Sequence, residues 1–147
     1  MIATGGPSIP KMGATTFGYD IARQFKLKII QPIPALVPLT FEEKLLTKTK
    51  ILSGVSVDAS VSCGKIKFDE AILFTHRGIS GPAILQISSY WKSREKITIN
   101  FAPQTDVFLW LQEERKNKPK QEIQNILAQI LPKSFVNFIL DEEIGRA

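Results

Sequence analysis

Residues 51–61 carry the clearest alternation of apolar and polar positions in the chain. Ile51, Ser53, Val55, Val57, Ala59 and Val61 point one way, and Leu52, Gly54, Ser56, Asp58 and Ser60 the other. A period of two predicts a half-buried strand. Cys63-Gly64 supplies a turn, and Ile66, Phe68, Ile72 and Phe74 carry the pattern back on a return strand. Upstream, residues 28–30 and 35–39 read as short strands, limited by Pro32, Pro34 and Pro38. Downstream, residues 82–91 predict a helix, and Ile97, Ile99 and Phe101 mark one more strand.

The two ends of the chain change period. Ile2-Ala3 reads as the end of a strand, followed by the glycine turn Gly5-Gly6 and a loop holding Pro7 and Pro10. Thr15 or Thr16 then caps a helix with Phe17, Ile21, Ala22 and Phe25 on one face. Beyond Gln104 the pattern is helical. Thr105 or Asp106 caps a segment containing Val107, Phe108, Trp110 and Leu111. Ile123, Ile126, Leu127, Ile130 and Leu131 form a stripe at helical spacing, Pro132 ends it, and Ser134 caps a last helix bearing Phe135, Phe138 and Ile139. The expected fold class is therefore α+β: a small β-barrel-like domain over 27–103, a helical subdomain over 104–147, and a separate turn-and-helix segment over 1–26.

Composition narrows the setting. A chain of 147 residues with 44% hydrophobic residues can bury a core, and no apolar run approaches the ~20 residues of a membrane span. The only cysteine is Cys63, so no internal disulfide forms. With no signal peptide visible, a cytoplasmic location is expected. The net charge of +5 raises nucleic-acid binding, as by a basic barrel. The lysines are dispersed, however, and the densest run, Arg115, Lys116, Lys118 and Lys120, is flanked by Glu113, Glu114 and Glu122. Mixed signs argue against a phosphate-tracking stripe.

Two motifs carry candidate chemistry. Ala3, Thr4, Gly5 and Gly6 make a small-residue turn of the kind that lets a backbone approach a ligand closely, although a plain tight turn explains the four letters equally well. Phe74-Thr75-His76-Arg77-Gly78-Ile79-Ser80-Gly81-Pro82 joins a strand to a helix whose start can attract an anion. Arg77 offers a bidentate contact and His76 a proton near neutral pH. His76, Arg77, Gly78, Ser80 and Gly81 are thus the candidate anion or substrate-cleft residues, and a tight structural connection is the plainer reading of the same loop. A stand-alone anion- or nucleotide-binding module is the corresponding alternative function. His76 is the sole histidine and has no adjacent Cys or acid pair, so no metal site is expected.

The run from Ala3 to Tyr19, the stretch Pro34-Ala35-Leu36-Val37-Pro38-Leu39, and the run from Glu70 to Leu85 resemble, in order and spacing, three segments of the BaiN-like (YhiN-like) NAD(P)/FAD-dependent oxidoreductases. The resemblance implies a Rossmann-type FAD domain interrupted after its ATGG segment by a barrel-like domain and a helical subdomain. On that plan residues 1–26 are a remnant of the FAD domain, and Ala3, Thr4, Gly5 and Gly6 touch the cofactor. The chain is then an internal piece, not catalytic alone, whose partner is the missing FAD-binding domain of the same polypeptide. The insert covers the flavin and shapes a pocket for a small-molecule substrate, with NAD(P)H as electron donor. Where some relatives carry an acidic residue, this chain has Phe17, so no polar cofactor contact transfers to that position. Bulk at the Gly78–Pro82 loop, as in Gly81→Val, is expected to lower activity while barely moving the melting temperature.

Overall fold

The computed structural model describes residues 1–144 and divides the chain into two compact units, Met1–Pro34 and Ala35–Ala147. The first unit contains a short 3-10 turn, Pro10–Met12, and helix α1, Phe17–Gln24, which starts at Thr16 as the sequence predicts. None of its residues is fully buried, and Phe17 and Phe25 stay 54% and 72% exposed. Residues 2–3 and 28–30 form no strand, because no partner strand stands beside them among the described residues of this unit.

The second unit is α+β. Its sheet contains β1 (Leu39–Thr40), β2 (Ser56–Cys63), β3 (Ile66–Thr75), β4 (Gly78–Ser80) and β5 (Ile97–Asn100), in the order β1-β4-β3-β2-β5, every neighbouring pair antiparallel. The barrel-like sheet is therefore open, with β1 and β5 at its edges. Pro38, which has no N–H to give a ladder, holds β1 to two residues.

Strand β2 starts later than the alternation predicts. Helix α2, Glu43–Thr49, runs into a 3-10 turn at Lys50–Leu52. That turn buries Leu52 completely and leaves Ile51 70% exposed, the reverse of the strand phase read from sequence. From Ser56 onward the predicted phase holds: Val57, Ala59, Val61 and Cys63 are buried. Helix α3, Pro82–Ser88, buries Ala83, Ile84 and Ile87 against β2 and β3.

Helix α4, Val107–Asn117, is capped by Asp106, whose Oδ1 accepts from the Leu109 amide at 3.1 Å. The apolar stripe that follows is only partly helical. Helix α5 covers Ile123–Leu127, burying Ile126 and Leu127, while Ile123 and Ile130 are exposed. Pro132, not Ser134, stands before helix α6, Lys133–Ile144: its carbonyl accepts from the amides of Phe135 and Val136.

Candidate functional site

In the first unit, Ala3, Thr4 and Gly5 border an open cleft of about 520 Å³ that also touches Gly18, Tyr19, Ala22 and Ile29, while Gly6, the fourth residue of the turn, does not line it. Gly18 permits the approach of α1 to this loop: a Cβ there would lie 2.9 Å from Thr4 Oγ1. Gly5 is left-handed at φ +70, with nothing within 4 Å of where a Cβ would stand. The cleft sets the small residues Ala3, Gly5, Gly18 and Ala22 beside the larger side chains of Ile2, Tyr19, Ile29 and Ile30, and Lys28 adds a cation to its lining. The small residues leave room for a ligand to approach the backbone closely. Gly18 is the residue that sequence reasoning missed, because its need arises from a contact with a separate segment.

The second motif folds as a hairpin. Thr75 pairs with Gly78, so His76 and Arg77 form a two-residue turn between β3 and β4, and both are exposed. The Thr75 hydroxyl accepts from the Arg77 amide at 3.3 Å and donates to the Gly78 carbonyl at 3.2 Å. The Arg77 carbonyl accepts from Phe41 N at 3.1 Å. Of the other three candidates, Gly78 and Ser80 are the ends of β4, the first buried and the second half-buried, and Gly81, half-buried, follows the strand immediately before Pro82 at the start of α3. Three residues of strand, roughly 10 Å, separate the Arg77 backbone from Ser80. The hairpin therefore holds the cationic tip and the start of α3 at opposite ends of β4.

Both glycines are needed by the backbone itself. At Gly78, φ +150, a Cβ would fall 2.2 Å from the Leu39 carbonyl oxygen and 2.8 Å from Thr40 Cα. At Gly81, φ +96, it would fall 2.8 Å from the Ala71 carbonyl oxygen and 2.9 Å from Ile72 Cα. These are main-chain atoms that cannot swing away. The expectation that Gly81→Val spares stability is corrected by this geometry.

A larger groove, about 740 Å³, lies in the second unit where the end of β5 leaves the Ser56–Ala59 half of β2 without a neighbouring strand. Asp58, Asp69 and Glu70 line it together with Phe101, Leu131 and Pro132. A hydrogen bond from Ser60, then the Lys67 ammonium, holds the Asp69 carboxyl below the usual carboxylate range. Among the described residues no three or more His, Cys, Asp or Glu side chains gather where they could hold a metal ion. No helix of the described residues is long and apolar enough to cross a membrane.

Cys63 is buried, with its Sγ 3.5 Å from Glu95 Oε2. Desolvation pushes the thiol up, and the Glu95 carboxylate pushes it further in the same direction. The thiolate that reacts is therefore scarce at neutral pH. Iodoacetamide should modify Cys63 slowly in the folded chain and rapidly in urea, which a mass-spectrometric time course reads directly. Equal rates would mean that Cys63 is open to solvent.

Residues 33–147 match the family described as HI0933-like protein barrel and H2TH domain. The chain is 46% identical over 138 residues to a protein of Escherichia coli (strain K12) named ribosomal RNA dihydrouridine synthase, covering 92% of this chain and 34% of that protein. It is 44% identical over 148 aligned positions to a Haemophilus influenzae protein of the same name, covering 98% of this chain and 36% of that one. The chain thus spans about a third of the length of the curated relatives it matches.

Proposed function

The chain belongs to the HI0933-like barrel and H2TH domain family, and from that membership we propose that it is the insert region of an FAD-dependent oxidoreductase of BaiN-like plan, one that reduces uridine in ribosomal RNA. The observation that carries this reading is the 44–46% identity, over nearly the whole chain, to two proteins named ribosomal RNA dihydrouridine synthase. Identity at that level, spread over nearly the whole chain, favours a shared substrate class as well as a shared fold. The substrate is then a uracil ring carried on RNA rather than a free small molecule.

On this reading Ala3, Thr4, Gly5 and Gly6 hold part of the FAD, and the remainder of the same polypeptide holds the rest. NAD(P)H is the proposed electron source. When bound, the flavin supplies the two electrons that turn the C5–C6 double bond of uracil into a single bond, which fits the division of labour in cofactor enzymes. The chain's own residues exclude water, shape the opening and position the base. The reaction belongs in the cytoplasm, where ribosomes are made. A stand-alone anion-binding module gains nothing from the geometry, since Arg77 and the start of α3 lie at opposite ends of β4.

Disruption of the complete gene should remove dihydrouridine from ribosomal RNA, measured by nucleoside mass spectrometry, and a plasmid copy should restore it. Unchanged dihydrouridine overturns the assignment. The isolated 147-residue chain should purify without stoichiometric flavin, and a yellow protein with one FAD per chain would sink the shared cofactor site.

A further inference from the structure

Lysines scattered along the sequence come together at one end of the sheet. Lys65 stands in the turn between β2 and β3. Ile97, the first residue of β5, pairs with Cys63, the last of β2, so Lys96 enters the sheet beside that turn. Lys67 pairs with Ser62, which pairs with Thr98. Lys67 and Thr98 therefore share the sheet face turned away from the core. Lys92 and Arg94 occupy the tight turn just before, closed by the Glu95 amide donating to the Lys92 carbonyl at 3.0 Å, with Arg94 left-handed at φ 77.

The one acid in this turn is exposed but engaged by its neighbours. Glu95 Oε2 accepts from the Lys92 amide at 2.9 Å and contacts Cys63 Sγ at 3.5 Å, and the Glu95 carbonyl accepts from Trp91 Nε1 at 2.8 Å. Lys67 is paired with Asp69 at 3.1 Å. Lys65, Lys92, Arg94 and Lys96 are exposed and enter no ion pair among the described residues. Beside them Tyr90, 53% exposed, leans on Phe68 with ring centroids 5.8 Å apart. A ring steadied on one side and open on the other is a stacking platform for an unpaired base.

We propose that this end of the sheet, built by Lys65, Lys92, Arg94, Lys96 and Tyr90, is the surface through which the chain grips RNA, with the cations on phosphates and Tyr90 on a splayed base. The proposal rests on the reading that the substrate is RNA and adds where it is held. Helix α4 is a poorer candidate: Lys118, just past its end, is spent on Glu114 at 2.9 Å, and Glu113 and Glu114 directly precede Arg115 and Lys116. A lipid surface is a poorer occupant, since interfacial anchors set a broad apolar face beside their cations, and here a single ring stands among four charges.

The probe is a fluorescein-labelled RNA stem-loop with a uridine-rich loop, titrated with the 147-residue chain at several salt concentrations. The combined change Lys65→Gln, Arg94→Gln and Lys96→Gln should weaken binding at least roughly ten-fold at low salt and flatten the slope of log K against log salt by about 2–3. Tyr90→Ala should weaken binding roughly ten-fold with the slope unchanged, and Tyr90→Phe, which keeps the ring, should bind like the parent chain. Lys116→Gln with Lys118→Gln should have no effect. If that α4 pair loses affinity while the end-of-sheet variants keep it, the surface is wrong and the RNA reading stands. If the chain binds no stem-loop but sediments with phosphatidylserine vesicles, the surface is a membrane contact and the proposal fails. The dihydrouridine measurement then decides the RNA reading separately.

Discussion

Gly78→Ala should cost the second unit on the order of 3–5 kcal/mol, and Gly81→Ala about 2–4 kcal/mol, through strain in the left-handed region plus overlap with main-chain atoms. The larger figure belongs to Gly78 because its new Cβ would lie only 2.2 Å from the Leu39 carbonyl oxygen. That contact can be relieved only by lifting β1 from β4, and the β1–β4 ladder is just two residue pairs long. At Gly81 the collision is with the backbone of β3 at Ala71 and Ile72, so relief means tilting the start of α3 off the strand on which it packs. Urea midpoints followed by circular dichroism give the comparison. A loss below about 1 kcal/mol at both sites would show that the backbone has room and that the glycines are kept for another reason. Arg77→Ala is the contrasting change. Its side chain is exposed and its structural bond is made by the carbonyl, so stability should move by less than about 0.5 kcal/mol. A functional role for the hairpin tip is therefore testable at Arg77 without the folding loss that obscures Gly81.

These positions mark where the sequence speaks and where it stops. The glycine turn after Cys63, the Asp106 cap and the Gly81-Pro82 helix start are legible because each is decided by residues within a turn of one another. The period-two signal is correct from Ser56 to Cys63 and misleading before it, since a 3-10 turn presents Leu52 and Ile51 in the opposite phase. Helix α2 escapes notice because it buries only Thr49, whose hydroxyl donates to the Leu45 carbonyl at 3.0 Å. Strand β4 looks like a loop because three residues leave no period to read, and its identity comes from pairing with β1 and β3. The cationic end of the sheet is invisible for the same reason: Lys65 and the turn holding Lys92, Arg94 and Lys96 meet only through the register of β2 with β5. Dispersal along the chain, which argues against a phosphate-binding stripe in one dimension, says little once the sheet has folded. The small residues from Ala3 to Gly6 are legible as a place of close approach, whereas the need for Gly18 is not, because Thr4 contacts it across a loop.

The second large effect falls on Phe135. Its ring is 2% exposed and sits between Phe101, 4.6 Å away centroid to centroid, and Phe74, 5.7 Å away. Phe74 belongs to β3, Phe101 follows β5, and Phe135 is on α6, so one ring joins the sheet to the helical end of the chain. Helices α5 and α6 pack on each other. The core cluster also runs from β2, β3 and α3 through Phe135 to Leu131, Phe138 and Ile139. Phe135→Ala removes the whole ring from a filled site, which costs about 3–5 kcal/mol, and with it the two aromatic contacts, each worth about 0.5–1.5 kcal/mol beyond area and already within that range. Because the ring is shared, the loss should lower one cooperative transition that sheet and helices undergo together, by roughly 10–20 °C for a unit of this size. Calorimetry, with tryptophan fluorescence from Trp91 beside the sheet and Trp110 on α4, separates the possibilities. Coincident transitions in the parent chain, both shifted in Phe135→Ala, are the expected result. A variant in which Trp110 reports early melting while Trp91 keeps the parent midpoint would mean that the sheet stands without its helical end, and that Phe135 rests on the core without helping to hold it.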